Sequence, residues 1–177
     1  MKNKGKKIVL LLLVITVMTA ISCFAVGAAE TFTEGIYSYT VTGGKATVTA
    51  VDKTVSGKVE IPETLGGYPV TAIGSSAFED CTHVESIVIC EGITEIPDYA
   101  FIYCRNLSSV TIPDTVTFIG KRAFAGCYSL ESIELPEDLE IIDWYAFAWC
   151  KELKSIVIPD KIKYIDQWAF YECTGLE

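Results

Sequence analysis

Histidine is almost absent from this sequence, since His83 is the only one among 177 residues. A histidine base needs a nucleophile and an orienting group beside it. His83 stands between Thr82 and Val84, so we interpret it as a turn residue. The sequence also lacks a Cys-x-x-Cys pair, a glycine-rich phosphate loop and a nucleophile elbow. We therefore predict no enzyme activity, no metal site and no cofactor.

Positive charge is scarce beyond the first seven residues, which hold four of the 14 basic residues. All 23 acidic residues stand at or after Glu30. Residues 30–177 therefore hold 10 basic and 23 acidic residues, a net charge of −13. Binding to nucleic acid or to anionic lipid headgroups depends on clustered lysine and arginine. This balance argues against both kinds of partner.

The first 29 residues have the pattern of an export signal. A basic start is followed by an apolar run from Ile8 to Phe24 and by small residues that end at Ala28 and Ala29. This order predicts a secretory signal peptide cleaved after one of those alanines. The long apolar run also fits an uncleaved membrane anchor, and Ala20-Ile21-Ser22-Cys23 resembles a lipoprotein processing site. Each alternative predicts a secreted or cell-surface protein that contacts the membrane only through this segment.

A repeat of 23 residues organises the rest of the sequence. An Ala-Phe pair recurs at this interval, a cysteine follows three residues after each phenylalanine, and Ser-Ile-x-Ile segments lie between the pairs. The pairs are Ala77-Phe78, Ala100-Phe101, Ala123-Phe124, Ala146-Phe147 and Ala169-Phe170, and the cysteines are Cys81, Cys104, Cys127, Cys150 and Cys173.

Units of this length are too short to bury a core of their own, but stacked units bury a continuous one. The Ser-Ile-x-Ile segments alternate inward and outward positions, which predicts short parallel strands about 4.8 Å apart in adjacent coils. Each Ala-Phe pair predicts a short helical or 3₁₀ turn, in which alanine allows the coils to approach and phenylalanine fills the interior. The predicted fold is a repeat solenoid.

A lead-in segment precedes the repeats. Gly43-Gly44 lies between two alternating runs and predicts a β-hairpin, which would cover the first coil and its open strand edge. The insertion Gly66-Gly67-Tyr68-Pro69 predicts a surface loop. We divide the chain into a signal segment at 1–29, a β-hairpin cap at 30–59 and a solenoid at 60–177.

The unit Cys-x-x-Leu-x-Ser-Ile-x-Ile-Pro-x-x-Ile-x-x-Ile-x-x-x-Ala-Phe resembles the BspA-type (Treponema-type) leucine-rich repeat. The resemblance extends from about Pro62 to Glu177. It implies a leucine-rich-repeat solenoid in a bacterial secreted or surface protein that binds host or cell-surface macromolecules, as adhesins do. It implies no shared active site. The partner expected from it is an extracellular protein or glycan.

Two surfaces of the predicted solenoid are candidate binding sites. The outward strand positions, here called the strand face, would span only ~25 Å by ~10–15 Å and lack aromatic anchors. The rings beside the Ala-Phe turns, here called the aromatic flank, suit protein or sugar contacts, although several could instead pack between coils. The strand face is Glu85, Ser86, Val88, Ser108, Thr111, Glu131, Glu134, Lys154 and Val157, and the aromatic flank is Tyr99, Tyr103, Trp144, Tyr145, Trp149, Trp168 and Tyr171.

Two further features leave alternatives open. The cysteine column could form disulfides or a buried ladder of free thiols, and we favour the ladder because pairing five cysteines leaves one over. Leu176-Glu177 begins another repeat with no polar capping unit. We therefore expect either continuation in a longer protein or self-association through the open end. Self-association would make the chain a structural spacer or assembling element.

Overall fold

The computed structural model of this protein describes residues 30–177, so the predicted signal segment lies outside the described part of the chain. Across those residues the backbone forms twelve strands in three sheets. None of the described residues forms a helix long and apolar enough to cross a membrane. The strands are β1 (Thr31–Glu34), β2 (Tyr37–Thr42), β3 (Lys45–Val51), β4 (Gly57–Glu60), β5 (Thr64–Leu65), β6 (Tyr68–Ile73), β7 (Val84–Val88), β8 (Glu95–Ile96), β9 (Ser109–Thr111), β10 (Phe118–Ile119), β11 (Ile141–Ile142) and β12 (Tyr164–Ile165).

The lead-in forms an antiparallel meander of β1, β2 and β3. Gly43 and Gly44 connect β2 to β3, and both have positive φ angles, 58° and 74°, as a tight two-residue hairpin requires. β3 also pairs in parallel with β6, so the backbone of the lead-in is hydrogen-bonded to the first repeat. β5 and β6 pair across Gly66-Gly67, which places a second hairpin at the position of the predicted loop.

The coils are numbered here by their Ala-Phe pairs, from the first coil at 77–78 to the fifth at 169–170. On one side of the solenoid, β8, β10, β11 and β12 form a parallel sheet in which every pairing is offset by 23 residues. Ile96, Ile119 and Ile142 are therefore stacked in one column, and each is fully buried. The 23-residue period of the sequence is thus the offset between paired residues of neighbouring strands in the sheet.

The Ser-Ile-x-Ile side is less regular than the sequence predicts. β4, β7 and β9 pair in parallel, but residues 132–135 and 155–158 form no strand. The chain before and after the latter segment is hydrogen-bonded to the preceding coil, by Lys154 N–H to Glu131 O at 3.2 Å and by Lys163 N–H to Glu140 O at 2.8 Å. The other two sides of the solenoid hold adjacent coils close together, so these coils separate only on the Ser-Ile-x-Ile side. The predicted strand ladder is therefore wrong for the last two coils.

The Ala-Phe segments form consecutive hydrogen-bonded turns, and the predicted short helical or 3₁₀ turns are not confirmed. Within the second coil, Ala100 N–H donates to Pro97 O at 3.2 Å and Cys104 N–H donates to Phe101 O at 3.2 Å. The N–H of Phe101 points along the solenoid axis and donates to Ala123 O of the next coil at 2.8 Å. A continuous helix would use these donors internally. Hydrogen bonds within a turn therefore alternate with hydrogen bonds between coils. This alternation satisfies the backbone N–H and C=O groups on this side and joins adjacent coils.

One hydrophobic core runs from the lead-in to the fifth coil. Phe78, Phe101, Phe124 and Phe147 are fully buried and form its central stack. The ring centroids of Phe101 and Phe124 lie 5.2 Å apart, and those of Phe124 and Phe147 lie 5.3 Å apart. The two pairs are close to parallel, with interplanar angles of 12° and 5°. This stack holds the Ala-Phe turns in register, so it positions the side chains that the turns carry.

Candidate binding surface

The aromatic flank is built on strained backbone. Nine residues other than glycine have a positive φ angle in the described chain, and all nine stand either directly before the alanine or three residues after it. An L-residue with a side chain costs about 1–2 kcal/mol in this conformation. Five of the nine are rings of the aromatic flank. They are Tyr99, Tyr103, Tyr145, Trp149 and Trp168.

Five rings of the flank form one cluster on the fourth and fifth coils. Tyr145 lies at its centre, with its centroid 4.7 Å from that of Trp144, 5.9 Å from that of Trp149 and 5.3 Å from that of Trp168. Tyr171 meets the rings of Tyr145 and Trp149 edge-on at 5.7 Å and 5.6 Å. Edge-to-face and offset arrangements of this kind are favourable. The cluster is therefore an ordered surface rather than a set of independent side chains.

The rings divide into packed and exposed members. Tyr99, Tyr103, Tyr145 and Trp149 are half-buried against a small apolar floor of Ile102, Ala125 and Ala148. These four rings therefore pack between coils, as one of the two expectations for the flank has it. The most exposed rings are Trp168, with 52% of its surface accessible, and Tyr171, with 41%.

Tyr103 is separated from the five-ring cluster by the third coil. Gly126 occupies the equivalent position there, with φ at 74°. A Cβ atom on Gly126 would lie 2.5 Å from Cδ1 of Tyr103. Glycine is thus required at this position both by the backbone angle and by the ring above it.

Two cations interrupt the flank on the third coil, and the sequence prediction missed them. Lys121 and Arg122 occupy the repeat positions of Trp144 and Tyr145 in the next coil. Lys121 Nζ lies 4.4 Å from the Trp144 ring centroid, and Arg122 Cζ lies 5.2 Å from that of Tyr145. Aligning the repeats by column rather than by residue type would have found both residues.

The strand face is a polar surface in the structure. None of its nine predicted residues is buried, and Val157 has 83% of its surface accessible. Ser108 Oγ donates to Glu85 O at 3.0 Å, which fixes one row of the face. Where the last two coils separate, a groove of about 560 Å³ opens between Glu134 and Val157. The structure places the nine residues on one side, but the paired sheet covers only the part up to β9.

The cysteine column is a ladder of free, buried thiols. Four of the five donate from Sγ to the phenylalanine carbonyl of the preceding coil, for example Cys104 to Phe78 O at 3.1 Å and Cys173 to Phe147 O at 3.0 Å. Burial raises the pKa of Cys81 to about 11 and raises the pKa values of Cys104 and Cys127 further. These three thiols therefore stay protonated at neutral pH and act as packing groups and weak donors.

The remaining candidates for chemistry are isolated. His83 is exposed in a turn, with Nδ1 3.4 Å from Thr82 Oγ1. Cys90 is buried, and burial raises the pKa of its thiol. Within residues 30–177, no group of three or more histidine, cysteine or acidic side chains is arranged to hold a metal ion. The aromatic flank and the strand face stay the candidate surfaces that the sequence predicts.

The repeats match the family described as the BspA type leucine rich repeat region, in six copies over residues 57–177. This chain belongs to that family. It is similar to the crystal structure of a T. pallidum leucine-rich-repeat protein, with 28% identity and a TM-score of 0.75 over 80% of this chain and 66% of the other. No curated protein matches.

Two further solved structures are similar to this leucine-rich-repeat protein. One is a leucine-rich cell surface protein of Faecalibacterium prausnitzii, with 25% identity and a TM-score of 0.60 over 86% of this chain and 55% of the other. The other is the pneumococcal vaccine antigen PcpA, with 25% identity and a TM-score of 0.59 over 77% and 40%. The chain thus spans between two fifths and two thirds of the length of these proteins.

Proposed function

We propose that this leucine-rich-repeat protein is a non-catalytic binding module that acts outside the cytoplasm and contacts a protein or glycan at a cell surface. The observation that carries the proposal is the half-exposed pair Trp168 and Tyr171 at the outer edge of an ordered five-ring cluster. The description of the F. prausnitzii relative as a cell surface protein supports the location. Adhesion is the role that fits both.

Exposed rings of this kind suit recognition for two physical reasons. Tryptophan and tyrosine bury large apolar areas while losing little side-chain freedom, and they dominate the energy of many interfaces. Here Tyr145 already holds both exposed rings in place, so less freedom is lost on binding. Backbone strain is also concentrated where surrounding structure enforces it for a purpose, which favours a functional role for the left-handed positions. The strand face would supply a polar rim.

Replacing Trp168 and Tyr171 together with alanine is expected to weaken binding by at least about tenfold, because such anchors typically contribute 1–2 kcal/mol or more each. The measurement is surface plasmon resonance with the purified protein over a panel of extracellular matrix proteins and glycans. Tyr68→Ala is a matched control, since Tyr68 is 44% exposed on β6, outside the flank. Equal loss in the control, or no loss in the double variant, would contradict a role for the flank.

A second candidate is a structural spacer or self-assembling element, favoured by apolar exposure on the fifth coil. Val157 is 83%, Ile158 38% and Ile165 39% exposed. If these side chains mediate self-association, the mass measured by sedimentation under reducing conditions rises with protein concentration. Val157→Glu with Ile165→Glu then restores a monomer, whereas Thr111→Glu on β9 does not. A mass that is independent of concentration in the unaltered protein removes this candidate.

A further inference from the structure

Lys121 and Arg122 are unpaired cations in a strongly acidic protein. In residues 30–177, ion pairs within 4.0 Å involve only Lys58, Lys161 and Lys163. Neither Lys121 nor Arg122 therefore has a carboxylate oxygen at that distance. Both lie on aromatic rings instead, and Nε of Arg122 is buried without a hydrogen-bond partner.

The backbone around these two residues is held from both sides. Lys121 N–H donates to Asp98 Oδ1 at 2.9 Å, and Arg122 N–H donates to Trp144 O of the next coil at 3.0 Å. Arg122 also has a left-handed φ of 53°. The two neighbouring carboxylates already accept hydrogen bonds from backbone N–H groups. Asp98 accepts from Lys121 N–H, and Asp143 Oδ1 accepts from Trp144 N–H at 2.6 Å. The guanidinium is thus placed against Trp144 and Tyr145 with no internal anion to neutralise it.

We propose that Lys121 and Arg122, together with the exposed ring of Trp168, whose centroid lies 6.3 Å from that of Trp144, bind a carboxylate-bearing sugar, such as a uronic acid unit of an acidic glycan. The inference deepens the proposed function and rests on it. A guanidinium presents a planar fork that matches a carboxylate with two parallel hydrogen bonds, and an aromatic face suits the apolar face of a sugar ring. A uronic acid joins both features in one compact unit, whereas an aspartate or glutamate side chain has no comparable flat face.

The overall charge does not prevent this contact. Residues 30–177 carry a net charge of −13, which repels an anionic glycan at long range. At physiological ionic strength the screening length is about 8 Å, so distant acids act weakly on a carboxylate that touches Arg122. A stacked, partly desolvated cation is screened much less. Local attraction therefore acts against a repulsion that salt has weakened.

The experiment is isothermal titration of the purified protein with oligogalacturonate and with the same oligomer fully methyl-esterified. The ester keeps the sugar faces and removes the charge, so it requires no change to the protein. Oligogalacturonate is expected to bind at least about tenfold more tightly, as for other hydrogen bonds to charged groups. Arg122→Gln and Lys121→Gln are each expected to weaken binding, and Arg122→Lys is expected to weaken it because the fork is lost.

Lys161→Gln and Lys163→Gln are the matched controls, since these lysines already pair with Asp138 and Glu140. They should leave the affinity unchanged. Equal affinity for acid and ester would overturn the inference while leaving the flank as a neutral binding surface. Tighter binding of a sulfated oligosaccharide or of polyglutamate would reassign the basic pair to sulfate or to acidic protein. Absence of binding to all of these probes overturns the inference, and the matrix and glycan panel tests the proposed function separately.

Discussion

Phe124→Ala is expected to lower the free energy of unfolding by about 3–5 kcal/mol, the usual cost of removing a buried aromatic ring from a core. Phe124 is fully buried and lies between two parallel rings, those of Phe101 and Phe147. Its removal opens a cavity in the middle of the stack, where coil-to-coil hydrogen bonds resist collapse. Urea denaturation followed by tryptophan fluorescence measures the loss.

The same substitution at the end of the stack is the control. Phe170 is half-buried and touches one stacked neighbour, Phe147, at 5.4 Å. Phe170→Ala should therefore cost clearly less than Phe124→Ala, because less apolar surface is lost and the site can rearrange. Equal losses of unfolding free energy at the two positions would mean that the phenylalanine stack does not make the coils unfold together. We would then assign that role to the backbone ladders.

Periodicity predicts the interior of this fold well. A residue that recurs every 23 positions must occupy the same place in each coil, so the amino-acid sequence is enough to assign the columns of Ile96 and Phe101 to the core. The cysteine column follows by the same logic, and its preferred interpretation as free thiols agrees with the structure. A column of identical residues constrains packing because each member faces its own copies one coil away.

Backbone conformation could not be predicted from the same columns. Alanine favours helix by propensity, yet the turns need left-handed residues on either side of the pair. Glycine would normally signal such positions, and only Gly126 does so here. Tertiary stacking of rings such as Tyr145 and Trp149 overrides the local preference. The opening of residues 132–135 and 155–158 was equally hidden, because their sequences resemble those of β7 and β9.

The candidate site illustrates the same limit. The sequence identified the rings of the flank by their chemistry but left Lys121 and Arg122 out, since lysine and arginine at an exposed turn usually indicate a solvated surface. Only the position of both cations on the Trp144 ring distinguishes them from ordinary surface charges. Their role depends on neighbours one coil away, which no local motif records.

Alkaline solution is expected to unfold this protein steeply, because three of its buried thiols stay protonated in the folded state. Burial raises the pKa values of Cys104, Cys127 and Cys150 well above the ordinary value of 9.0. The stability that these protonated thiols contribute is fully present below pH 9. It is lost as the pH rises above 9, since the unfolded chain then releases protons that the folded chain retains. Each thiol lowers the free energy of unfolding by about 1.4 kcal/mol per pH unit.

The three thiols together therefore remove about 4 kcal/mol per pH unit above pH 9, against a total stability of roughly 5–15 kcal/mol for an ordinary domain. Cys173 has the opposite sign, since its interaction with the Cys150 side chain lowers its pKa, and its contribution is fully present above pH 9. Tyr37 adds to the loss above pH 10, because burial and the charge of Glu60 raise its pKa to about 12.

Urea denaturation at a series of pH values under reducing conditions measures the slope directly. Cys127→Ala should make the slope shallower by one thiol, about 1.4 kcal/mol per pH unit, whatever it costs in stability at neutral pH. Ile102→Val removes one buried methyl group without removing a titrating group, so it should lower stability and leave the slope unchanged. An unchanged slope in Cys127→Ala would mean that the thiol ionises in the folded protein, and the buried ladder would then have to open to solvent without unfolding.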